Sequence, residues 1–144
     1  MTERAELLDA LHHADPDVRR RAARALDHLP LDEPTVAALI ALVRRETIPA
    51  VRSAAVHVLA CEGCKSAACS TSYDIVGFLI DILQHDVSAD VRRQTIDGLR
   101  SARTEPRVHV ALRAALNDAA FKIRWKAAGI ILPFEEREAM RVKR

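Results

Sequence analysis

Aromatic side chains make up only 3% of this 144-residue chain, and glycine occurs just 4 times. That scarcity suits helices that approach one another closely through small side chains. No long hydrophobic run exists: the longest, Val36 to Val43, has eight residues. About 20 are needed to span a bilayer, which excludes a membrane helix. The N-terminus is charged from its third residue and lacks the apolar core of an export signal, so a cytoplasmic location is expected. Charge of one sign is also missing, since 22 basic and 20 acidic side chains leave a net +2. That balance gives no whole-molecule case for nucleic-acid or membrane binding, and any basic surface must be local. There is no GxSxG elbow, no glycine-rich phosphate loop and no HExxH. The six histidines are dispersed, so no catalytic constellation is legible and no enzyme is expected.

What is present is a recurrence. An apolar residue followed by arginine opens a small-residue helix pattern four times: Val18-Arg19 before RRAARAL, Val51-Arg52 before SAAVHVL, Val91-Arg92 before RQTIDGL and Ile123-Arg124 before WKAAGII. The anchors are 33, 40 and 32 residues apart. A period of that length marks a solenoid, in which each unit buries its apolar face against its neighbours.

Each unit reads as two helices, which predicts repeats over 2–29, 32–61, 72–102 and 105–132 within one domain, 1–144. Thr2 caps a helix to about His13, and Asp15-Pro16 starts a second that ends near His28. Asp32-Glu33-Pro34, Thr47-Ile48-Pro49 and Thr104-Glu105-Pro106 place proline in a first helical turn, where its missing N–H costs nothing. Ser88 is an N-cap, with Asp90 at the positive end of the helix dipole. Pro133 stops the last helix, and 133–144 is expected to cap the array. The single long insertion, 61–71, accounts for the 40-residue spacing.

On DPDVRRRAARAL, PAVRSAAVHVL, SADVRRQTIDGL and FKIRWKAAGII the chain resembles HEAT-repeat proteins of the short bacterial kind. The resemblance implies an all-α fold, an α-solenoid of about four HEAT-like helix pairs in a right-handed superhelical stack. It also implies that Arg19, Arg52, Arg92 and Arg124 pair with loop acids and tie neighbouring repeats together. An acid lies six positions before three of them: Glu46, Asp86 and Asp118. The first unit departs from this, with Asp15 and Asp17 in a tighter turn.

In such a stack the second helices line the concave side. Positions two, three and six residues after each anchor then face outwards. The first column is Arg20, Ser53, Arg93 and Trp125; the next is Arg21, Ala54, Gln94 and Lys126; the last is Arg24, His57, Asp97 and Gly129. Trp125, the only tryptophan, is either an exposed anchor beside arginines or part of the C-terminal cap.

All three cysteines fall in one stretch, Cys61, Cys64 and Cys69, with His57 a helical turn before the first. One imidazole and three thiolates would make a closed structural zinc site. Three reduced thiols and a disulfide with one thiol left over are the alternatives, and a cytosolic setting disfavours the disulfide. Certain bacterial HEAT proteins look similar here, with HxLxCxxCK, a further cysteine and an Asp-Ile/Val-Val-Gly helix start.

These observations point to a non-catalytic interaction or scaffold module. A peptide or partner protein would bind the second-helix face through Arg20, Arg24, His57, Arg93 and Trp125. The alternative is a phosphate-backbone binder using Arg20, Arg21, Arg24, Arg93 and Lys126.

Overall fold

The structure, a computed structural model, describes residues 2–60 and 71–142, and every regular element among these is helical. In chain order α1 (Glu3–Ala10) precedes α2 (Pro16–Ala25), and α3 (Glu33–Arg45) precedes α4 (Pro49–Ala60). Then come α5 (Ile75–His85) and α6 (Ala89–Leu99), α7 (Pro106–Ala115) and α8 (Phe121–Ile131), and finally α9 (Phe134–Val142). Single 3₁₀ turns, Leu26–His28 and Arg100–Ala102, extend α2 and α6. The chain divides into two compact units, Met1–Ile75 and Val76–Arg144.

Local chemistry sets the helix starts. The side chains of Thr2, Asp15, Asp32 and Ser88 accept the backbone N–H groups of Ala5, Asp17, Thr35 and Val91. Each bond satisfies a donor that the first helical turn leaves without an intrahelical partner. Pro16, Pro34 and Pro106 sit in first turns, and Pro49 begins α4. The helix expected to reach about His13 stops at Ala10, and the Leu11 carbonyl just beyond it accepts Arg45 Nη2 at 2.9 Å.

In the first unit α2 packs on α4 and α3 on α4; in the second, α6, α7 and α9 all pack on α8. Second helix against second helix, once within each unit, is the packing of an α-solenoid. The apolar anchors Val51, Val91 and Ile123 are fully buried, as are Leu39, Leu59, Leu99 and Leu112. Val18 was expected among them but is only half-buried. Its neighbour α1 buries none of its own residues and gives the first turn of α2 only partial cover. Ala22, Ala23, Ala55, Ala127 and Ala128 are buried at the helix contacts, where small side chains let the backbones approach.

Candidate functional site

The four repeated arginines share one role, in a register offset from the spacing in sequence. Each Nη1 donates to main-chain carbonyls at the start of its own second helix. Arg19 reaches those of His13 and Ala14, Arg52 those of Glu46 and Thr47, and Arg124 those of Asp118 and Ala119. Arg92 reaches the carbonyl of Asp86 at 2.8 Å. Within each unit the carboxylate pairs one repeat back. Glu46 accepts from Arg19 at 2.7 and 3.0 Å, and Asp118 from Arg92 at 2.9 and 2.9 Å. The same carboxylates cap their own loops by accepting the N–H of the residue two further on, Ile48 or Ala120.

These pairs are shielded, and their titration shifts accordingly. The hydrogen bond from Arg19 holds the Glu46 carboxyl below its ordinary range, against the opposing effect of burial. Burial pushes Asp118 up, but the bonds from Arg92 and the Ala120 amide, with the charges of Arg92 and Arg124, hold it down. The arginines therefore belong to the framework.

Of the expected contact residues in the first unit, Arg20 pairs with Asp17 at 3.3 Å and Arg24 is exposed on α2. His57 on α4 places Nε2 at 3.3 Å from Asp27 Oδ2. His57 is thus engaged with a carboxylate. Its suggested zinc partners Cys61, Cys64 and Cys69 lie outside the described residues. Among the described residues, no three His, Cys, Asp or Glu side chains could together hold a metal ion.

The second unit brings the other two together. Arg93 and Trp125 line one cleft of about 480 Å³, joined by Arg100, Phe121, Lys122, Lys126, Gly129 and Arg137. No acid, histidine, serine or cysteine lines it. α6 and the 3₁₀ turn that extends it present charges in alternation, Asp90, Arg93, Asp97 and Arg100, at spacings that keep all four near one face. α8 answers with lysines: Lys122 Nζ lies 2.5 Å from Asp90 and Lys126 Nζ 2.5 Å from Asp97. The bond from Lys122 holds Asp90 below the ordinary carboxylate range. Both lysines are thereby neutralised. Arg93, Arg100 and Arg137 make no ion pair with any described residue, so the cleft keeps an excess of three positive charges.

Trp125 supplies the aromatic wall. Its ring stacks on Phe121, one helical turn away, with centroids 6.2 Å apart at 19°. The Arg141 guanidinium of α9 lies over the indole at 5.5 Å. Trp125 is therefore half-buried, in contact with the C-terminal helix and lining the cleft at once. Its contact with α9 fits the capping position expected from sequence, and the same ring lines the cleft.

Residues 4–69 match the family model of HEAT repeats. That stretch of the chain carries HEAT repeats. No curated protein and no solved structure matches it. HEAT repeats commonly serve as protein-interaction scaffolds, and no helix among the described residues is long and apolar enough to cross a membrane.

Sequence reasoning missed Arg100, Lys122, Phe121 and Arg137 as cleft residues. Arg100 falls in the 3₁₀ turn beyond the regular helix, and Arg137 in the tail assigned only to capping. One signal was readable: Arg100 stands seven residues after Arg93, two helical turns along the same face.

Proposed function

We propose that this chain is an interaction module whose second-unit cleft binds an acidic segment of a partner protein. The observation that carries this is the excess of three arginines around a tryptophan in a cleft without a lining acid. Arginine forks match carboxylates bidentately, and aromatic–arginine clusters dominate protein interfaces energetically. Arg93 and Arg100 lie about 10 Å apart along the helix, the reach of three residues of extended peptide. The cleft residues offer no general acid–base pair, so the role is binding without chemistry.

A phosphate-backbone ligand is less well supported. Of the residues that would serve it, Lys126 is held by Asp97 and Arg20 by Asp17. Asp90, largely exposed on α6, opposes a continuous run of phosphates beside Lys122.

The single tryptophan makes cleft occupancy directly readable by its fluorescence. Titration with a capped hexaglutamate peptide is expected to shift Trp125 emission saturably. Arg93→Glu and Arg100→Glu should each weaken binding at least tenfold. Tighter binding of a thymidine hexanucleotide, falling steeply with salt as counterions are released, would overturn the acidic-peptide reading in favour of nucleic acid. No spectral response to either probe would reject the cleft as the binding site.

A further inference from the structure

Gly129 stands in the eleven-residue α8, directly after the fully buried Ala127 and Ala128. It is exposed and lines the cleft, where the other α8 positions carry Phe121, Lys122, Trp125 and Lys126. Glycine weakens a helix interior because the unfolded chain loses more freedom on ordering it. Here its helical backbone does not demand glycine, since no described glycine has a positive φ. Packing does not demand it either. A Cβ built at 129 would meet only Arg137 Nη1, at 3.9 Å, an ordinary contact. The folded chain by itself would accept alanine.

Arg137 supplies the other half of the observation. Its guanidinium lies over the Phe134 ring at 5.6 Å. Its Nε is enclosed and has no hydrogen-bond partner, an unfavourable state for a charged donor. Nη1 lies against the space that a side chain at 129 would fill. The gap over Gly129 is therefore a notch floored by bare helix, with a guanidinium fork on one wall and Trp125 a turn away.

We infer that Gly129 is a specificity-determining residue. Its missing side chain seats one glutamate or aspartate carboxylate of the bound acidic segment on Arg137. This rests on the acidic-segment reading above and adds where one ligand carboxylate goes. A carboxylate accepts two parallel N–H bonds from a fork, which a lysine cannot offer in the same geometry. A methyl at 129 takes up the volume in which the carboxylate would approach.

The test measures hexaglutamate affinity and melting temperature on the full chain for wild type, Gly129→Ala and Arg137→Lys. Gly129→Ala is expected to raise the melting temperature, through better helix propensity, while weakening hexaglutamate binding at least fivefold. Arg137→Lys, which keeps the charge and loses the fork, should weaken it by a similar factor. If Gly129→Ala is more stable and binds as tightly as wild type, the notch is not the seat and the inference falls, while the acidic-segment reading stands. If Gly129→Ala loses stability, Arg137→Lys decides: wild-type affinity in that variant overturns the inference. Failure of wild type to bind hexaglutamate overturns both together.

Discussion

The Arg92 guanidinium joins two successive repeats by donating Nε and Nη2 to the two carboxylate oxygens of Asp118, each at 2.9 Å. A third donor, Nη1, holds the Asp86 carbonyl at 2.8 Å. Both side chains are nearly enclosed, at 13% and 11% exposure. Removing one partner strands the other. Asp118→Ala is expected to destabilise the fold by about 3 kcal/mol, because it leaves a shielded guanidinium without its anion. Denaturant unfolding of Asp118→Ala, Arg92→Ala and the double variant checks this. The double variant should cost clearly less than the two singles summed; simple additivity would contradict the pairing.

Acid should loosen the same framework. Glu46 and Asp118 both titrate below their ordinary values in the folded chain. Their stabilisation is therefore fully present above the unfolded carboxylate values, about pH 4. It is lost as pH falls from there through the lower folded values. Thermal melts between pH 7 and pH 3 should show the decline confined to that acid window. Glu46→Gln with Asp118→Asn should begin less stable and flatten the profile.

His13 occupies the place that Glu46, Asp86 and Asp118 hold in the other repeats, six residues before the arginine. Its Nδ1 accepts the N–H of Asp15 at 3.0 Å, as Asp86 accepts that of Ser88 at 2.8 Å. The shared demand is an acceptor for the residue two further on. His13→Ala should cost about 1 kcal/mol, the scale of a lost helix-start acceptor. His13→Asp, measured by the same chemical denaturation, should recover most of it.

Ile123 is fully buried on the helix that meets α6, α7 and α9. Ile123→Ala should lose about 3 kcal/mol through transfer and cavity costs. Gly129→Ala, six residues further along, should gain about 0.5–1 kcal/mol from helix propensity alone. Opposite signs on one helix, read by thermal melts, separate a core position from a cleft position.

Helix pairs were legible because their causes are local. Apolar residues recur at helical spacing, Thr2 and Ser88 cap, and Pro16, Pro34 and Pro106 begin helices. The partners of the arginines were half legible. Six-residue spacing located the acids, but the carboxylates lie 26 and 27 residues beyond the arginines they bind, and only packing sets that register. Arg93, Trp125 and Lys126 were found from the helical wheel. Arg137 was not, because its place in the cleft depends on how α9 folds back on α8, which no periodicity records.

The most direct test of cleft binding is the indole N–H resonance of Trp125 on titration with hexaglutamate. With one tryptophan in the chain, that signal needs no assignment. It should shift progressively and saturate, with backbone amides of α6 and α8 moving alongside while those of Arg20 and Arg24 stay in place. A stationary indole signal, with changes centred on α2 instead, would contradict the account.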